Sequence, residues 1–168
     1  MDTSYSHQLV TGITFGLTTA IITSLGMVIG MFSSTSSKLA VLAGIIIMAI
    51  ADGLSDSISL HMVEESEVEK GKAKHNQKEV WLTTLFCFLS VSGFTLSFTI
   101  PILLLPLDIA VIASIAWGIM LLILLNIFIA KIKNEKPIKL VLEHVLLAIA
   151  VIVVSYLIGV LVSLVLPT

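Results

Sequence analysis

Two aspartates stand inside an apolar run where no charge is expected. In IIIMAIADGLSDSISLHMVEESE, Asp52 and Asp56 are four residues apart, so a helix places them on nearly the same face. Met48, Ser55 and Ser59 complete one stripe with them. Carboxylate and hydroxyl oxygens in that pattern suit hard or borderline divalent ions such as Mg, Mn or Fe(II). Met48 adds a soft ligand only if it turns toward the stripe; methionine in an apolar helix is more often packing. His61 falls on the opposite face and is a poor ligand for this stripe. Further on come Glu64, Glu65, Glu67 and Glu69. If the helix continues to Gly71, Glu65 and Glu69 share a face. These acids have two readings: a solvated helix end, or a collector of cations that feeds the aspartates, with Glu64 and Glu65 nearest to them.

The elements that must carry these residues follow from composition. The chain has 168 residues, is 57% hydrophobic and only 12% charged, and has a mean hydropathy of +1.12. A soluble domain carries about 25% charged residues, and this one could not cover its own core with polar surface. That excludes an ordinary cytosolic enzyme, a nucleic-acid binder and a disordered chain. There is no arginine, hence no Arg clamp for phosphate or carboxylate. The single cysteine, Cys87, excludes an internal disulfide and a Cys-based zinc site. No Walker-type Gly-rich loop with Lys is present, so ATP-driven pumping is excluded. The protein is not expected to be an enzyme, and no resident cofactor is expected.

A bilayer core about 30 Å thick needs roughly 20 apolar residues of helix. Five stretches qualify, at about 9–32, 39–62, 80–105, 109–130 and 140–166. The expected fold is all-α and integral to the membrane: a single five-helix domain spanning residues 1–168. The start, MDTSYSHQ, lacks the positive n-region of a cleavable signal. Lysine placement sets the expected orientation. Lys70, Lys72, Lys74 and Lys78 follow span two, and Lys131, Lys133, Lys136 and Lys139 follow span four, whereas the other side holds only Lys38. The N-terminus and both basic links are therefore expected in the cytosol, and the C-terminus outside. Trp81 fits the inner interfacial belt. Pro101 and Pro106 predict a stop or kink at the outer end of span three.

From the 1.5 Å rise per residue, Asp52 lies about 20 Å in from Leu39 and Asp56 about 26 Å in, near the cytosolic boundary. An acid at the bilayer centre costs roughly 2.5–3.5 kcal/mol. Such a pair is protonated, faces water or holds a cation; a neutral, hydrogen-bonded Asp52 that packs spans together is the plain alternative. Gly12-x-x-x-Gly16 and Gly26-x-x-x-Gly30 in span one permit close helix approach, either within the subunit or along a dimer seam. The hydroxyls of Thr14, Thr18, Thr19, Thr23 and Ser24 either bond within their own helix or line a polar path. Glu79, Asn126, Glu143 and His144 are expected at the interface, and Cys87 as a buried thiol.

Several segments resemble the vacuolar iron transporter family. TGITFGLTTAIITSLGMVIG looks like its first helix, and ADGLSDSISLHMVEESE like its second, with the acidic extension. SGFTLSFTIPILLLP resembles its Gly-to-Pro third helix, and AIAVIVVSYLIGVLVSLVLP its Tyr-Leu-Ile-Gly fifth helix. The match runs in serial order over nearly the whole chain. The resemblance implies a homodimer of five-helix subunits that exports Fe(II), and often Mn(II), from the cytosol in exchange for protons. Its path lies between subunits, lined by the first two helices. Three positions depart from the family pattern. Phe15 stands where the family usually has Asp, Met48 where it has Glu, and Ser55-Asp56 where it has Ser-Met. The long metal-binding insert of the iron-storing members is absent, leaving at most the rim at Glu64–Glu69. The expectation is a divalent-metal secondary transporter, a proton antiporter for Fe(II) or Mn(II), with Asp56 as main ligand and Asp52 as ligand or proton carrier. Met48, Ser55, Glu64 and Glu65 complete the candidate set. The alternative is a non-transporting scaffold or metal sensor that keeps the fold. Expected partners are the lipid bilayer, a second copy of the chain, divalent cations and protons, with no nucleic acid. Lysine bias without a targeting segment favours a prokaryotic plasma membrane.

Overall fold

The computed structural model describes residues 3–69 and 71–166. Six helices and one small hairpin make up these residues. They are α1 (Thr3–Thr35), α2 (Lys38–Ser66), β1 (Val68–Glu69), β2 (Lys72–Ala73), α3 (Gln77–Ser97), α4 (Thr99–Leu104), α5 (Leu107–Lys133) and α6 (Pro137–Val165). Five segments are long and apolar enough to cross a membrane, with α3 and α4 together forming one of them. The fold is all-α in its spanning part, as composition requires. The helices begin before every expected span, and α1, α2 and α5 also run past their expected ends, because amphipathic turns such as HMVEES extend the helix past its apolar stretch.

Each boundary has a local cause. Ser36 takes a left-handed φ of 48°, and Ser37 caps α2 by accepting from the Ala40 amide at 3.3 Å. α3 opens with a capping box: Asn76 Oδ1 accepts from the Glu79 amide, and Glu79 Oε2 accepts from the Asn76 amide. Asn134, at φ 54°, closes α5, and Pro137 starts α6. α2 stops at Ser66, where Glu67 turns extended and the chain pairs Val68 with Ala73 and Glu69 with Lys72, around Gly71 at φ 77°. The expected continuation to Gly71 does not occur, so Glu65 and Glu69 share no helix face.

The predicted interruption near Pro101 is present. The Phe98 amide bonds the Thr95 carbonyl at 3.1 Å, a one-residue tightening that separates α3 from α4. Pro101 offers no N–H to the helix. Lys38 Nζ donates to the carbonyls of Leu103 (3.2 Å) and Leu105 (3.0 Å) at the end of α4. The one lysine at that end of the bundle thus serves the free carbonyls of a broken helix.

α1 is the central helix, and its glycines set the packing. A Cβ at Gly12 would lie 2.7 Å from the Thr83 carbonyl, and one at Gly16 would lie 2.8 Å from the Cys87 carbonyl, both on α3. Gly26 and Gly30 face Val151 and Ser155 on α6, and Gly159 of α6 meets Ser33 and the Gly30 carbonyl. Both Gly-x-x-x-Gly pairs are consumed inside the subunit, and neither is left as a dimer seam. The numbering rises together across both contacts, so α1, α3 and α6 run parallel. The ends of α2 and α5, with both lysine-bearing links, therefore lie at the end where α1 begins. Ile21, Leu25 and Val28 of α1, Phe98, Ile102 of α4 and Leu122 of α5 form the core.

Backbone-to-backbone approach at Gly16 leaves no flexible group to yield. Gly16→Ala is expected to destabilise the protein by about 1–3 kcal/mol through overpacking. Gly93→Ala, whose Cβ meets nothing within 4 Å, is expected to be neutral or to stabilise by up to about 1 kcal/mol. Thermal unfolding of the two purified variants in one detergent checks the contrast.

Candidate functional site

The rotation of α2 decides which side chains can form a site. Its buried face is Val41, Ile45, Ala49, Gly53, Ser57, Leu60 and Glu64. Gly53 lets α3 come close: a Cβ there would land on Ser92 Oγ and within 3.3 Å of the Phe88 ring. Ser92 Oγ donates to the Ala49 carbonyl at 2.8 Å. One end of α2 is tied by Lys38 to the end of α4. Near the other end, His61 Nδ1 meets Thr84 Oγ1 at 2.9 Å while its ring sits edge-on to Trp81. These three ties stand eleven or twelve residues apart along α2 and fix its azimuth.

With that azimuth, Asp52 and Asp56 lie half-buried on the flank of α2. They are close enough for their charges to interact, and the Thr23 side chain of α1 lies near Asp52. Thr23 Oγ1 also donates to the Thr19 carbonyl at 2.9 Å. Its proton is thereby committed within α1. Met48 is half-buried on the same flank, and the Met27 sulfur of α1 packs against Gly44 one turn away. Ser55 and Ser59 turn outward and are exposed with Ala51. The expected single stripe therefore divides. Met48, Asp52 and Asp56 form one flank, and Ala51, Ser55 and Ser59 form an outer ridge beside it.

The acids beyond the span do not continue that flank. Glu64 is buried, with its side chain 6% exposed, and its Oε2 lies 3.6 Å from His75 Nε2. His75 Nε2 is also 3.2 Å from Glu67 Oε2, and Nδ1 is 3.9 Å from Glu79. Glu65 is exposed and, among the described residues, reaches only His61, at 4.0 Å. Instead of a row of free oxygens feeding the aspartates, the structure has a histidine enclosed by carboxylates. His7 stacks on His75 at 6.3 Å between ring centroids. His7, Gln8, Lys74, His75 and Glu79 line a hollow of about 280 Å³. None of the sequence patterns pointed to His75, because all its partners but Glu79, four residues on, come from α1 and the end of α2. The Asn-x-x-Glu signature at Asn76 was the one local signal nearby.

Other polar residues resolve plainly. Thr14, Thr18, Thr19 and Thr23 each donate to a carbonyl of their own helix. Asn126, expected at the interface, is buried: Nδ2 donates to the Leu122 carbonyl at 2.7 Å, and Oδ1 has no partner among the described residues. Cys87 is buried. Among the described residues, no three of His, Cys, Asp or Glu are arranged to hold a metal ion within one subunit. No family model matches the chain, and no curated protein matches it.

The hairpin ties back through Lys74 and Glu67. Hydrogen bonds from Lys74 and His75 hold the Glu67 carboxyl below its ordinary value of 4.5, and the Glu67 bond holds Lys74 above its ordinary value of 10.5. A depressed carboxyl contributes above its ordinary value and is lost as pH falls through the depressed one. A raised ammonium contributes below its ordinary value and is lost as pH rises through the raised one. The contact should therefore persist unchanged at neutral pH and release in acid below 4.5. Amide exchange of residues 67–74, referenced to the same segment in Lys74→Gln, checks this. Equal protection in both proteins at neutral pH would remove the tie.

Proposed function

We propose that this protein is a secondary transporter that carries a divalent metal ion, Mn(II) or Fe(II), out of the cytosol in exchange for protons. It works as a homodimer whose path runs along the α1–α2 side of each subunit, in a prokaryotic plasma membrane. The observation that carries the reading is the half-buried pair Asp52 and Asp56 on one flank of a membrane-spanning helix. A carboxylate at that depth is too costly to leave against acyl chains. The resemblance of the first, second, third and fifth spans to the vacuolar iron transporter family supports the same reading.

The exposed ridge Ala51, Ser55 and Ser59 supports the dimer. Small residues four apart allow a second helix to approach closely in lipid, and this ridge adjoins the aspartates. Two α2 helices meeting there would bring four carboxylates together. Bare, these would carry −4 and repel strongly in a low dielectric. A divalent ion and bound protons relieve that repulsion alternately. The ion enters as two protons leave, and the reverse exchange releases it, so charge balances at each step. Asp56 is the main ligand, because it stands nearer the lysine-rich end. Asp52 is the second ligand and carries a proton when the ion is absent. Oxygen donors without an engaged thioether favour Mn(II) and Fe(II) and discriminate less against Mg.

One observation favours a second reading, a fold-retaining scaffold or metal sensor that does not transport. Phe15 is exposed on α1 at the position where the family carries an acid, so the α1 wall supplies hydroxyls but no carboxylate. Flux in proteoliposomes separates the two. Wild type should move Mn(II) or Fe(II) with opposing proton movement, and Asp56→Asn and Asp52→Asn should each lose most of it. Undiminished flux in both variants would eliminate the proposed site. Metal binding without flux in wild type would establish the sensor.

The dimer has its own measurement. Cys87 is fully buried and does not compete for oxidant. Ser59→Cys in membranes should cross-link to a dimer under mild oxidation, whereas Leu161→Cys on the outer face of α6 should stay monomeric. Equal yields from the two positions would rule out a seam along α2.

A further inference from the structure

Positive charge at the lysine-rich end is unevenly used. Between Glu64 and Glu79 the α2–α3 link holds five glutamates and four lysines, so it nearly balances itself. Lys74 there is paired with Glu67. Between Lys131 and Lys139 four lysines stand against one acid, Glu135, for a net charge of +3 in a chain whose total is −2. All four of these lysines are exposed, and none of their ammonium groups has an ion pair or hydrogen bond among the described residues. The net positive charge is therefore gathered at the α5–α6 corner.

That corner also joins the ends of two helices long and apolar enough to cross a membrane. Lys131 and Lys133 end α5, and Lys136 and Lys139 flank the first turn of α6. The residues interleaved with them, Ile132 and Ile138, are apolar and exposed, 52% and 70%. The link between the helices is short and shaped, closed by Asn134 in the left-handed region and Pro137 at the helix start. The ammonium groups thus alternate with exposed apolar side chains on a fixed support. Lysine stems can lie along apolar surface while their heads reach the phosphate layer. Clustered lysines directly beyond a membrane span are drawn to anionic lipid.

We propose that Lys131, Lys133, Lys136 and Lys139 form a binding surface for the phosphate headgroups of anionic phospholipids in the leaflet on the lysine-rich side. The surface is separate from the aspartate flank and does not depend on what that flank carries. Orientation bias alone would explain lysines anywhere in both links. It would not explain why one link carries more acids than lysines and the other sets four lysines against one acid.

The test uses the purified full chain in nanodiscs of phosphatidylcholine, with or without phosphatidylglycerol. Both leaflets then have the same composition, so a variant that inserts in the opposite orientation still meets the same lipid. The thermal midpoint should rise by about 2–4 °C with phosphatidylglycerol. High salt should abolish the rise, because it screens exposed charge. The combined variant K131Q/K133Q/K136Q/K139Q should lose the rise, whereas K70Q/K72Q/K78Q should keep it. Equal midpoints in the two lipids would overturn the proposal. So would a rise that survives high salt or survives in the first variant. An equal rise from soluble glycerol phosphate in phosphatidylcholine nanodiscs would assign the surface to free anions instead. If the first variant fails to purify, K70Q/K72Q/K78Q decides it, and loss of the salt-sensitive rise in that variant would overturn the proposal.

Discussion

Everything the membrane part can do depends on the azimuth of α2. A helix carrying two aspartates among isoleucines has many rotations that bury its apolar groups equally well, since lipid and protein interior are similarly apolar. Hydrophobicity cannot choose among them. Three polar ties do: Lys38 to the α4 carbonyls, Ser92 to the Ala49 carbonyl and His61 to Thr84. All three join α2 to the α3–α4 unit, and Gly53 removes the side chain that would hold the helices apart. The aspartates are then directed to the flank shared with α1, and the small residues to the outside.

α1 complements this by satisfying itself. Its threonines return their protons to their own helix, so the polar wall opposite Asp52 offers lone pairs more readily than protons. That suits a carboxylic acid, and it suits an ion only if water or another subunit supplies the remaining ligands. The glycines of α1 serve a different purpose, admitting α3 on one side and α6 on another.

The five spans were legible from hydropathy alone, because apolar length in a membrane leaves few alternatives to helix. So was the pairing of Asp52 with Asp56, which needs only the helical repeat. The division between Asp52 and Ser55 was not. Those positions are about 60° apart on a helical wheel, and only the neighbouring helices determine where the boundary between flank and ridge falls. The Gly-x-x-x-Gly pairs announced close approach but not to which partner. The burial of Asn126 and the enclosure of Glu64 by His75 arise from contacts between distant segments, and sequence spacing carries no trace of them. Lys38 looked like an exception to a charge bias, and its bonds to Leu103 and Leu105 show a structural use.

The parallel seating of α6 on α1 has a consequence for biogenesis. Gly26 and Gly30 are made early, and their partners Ser155 and Gly159 more than a hundred residues later. At ordinary synthesis rates that interval is on the order of ten seconds. During it, the central helix sits in the bilayer with one close-packing groove open and its backbone carbonyls accessible from the side. α1 is thus completed only when α6, made after the four helices between them, arrives and closes the groove, though α6 hides little of its own surface.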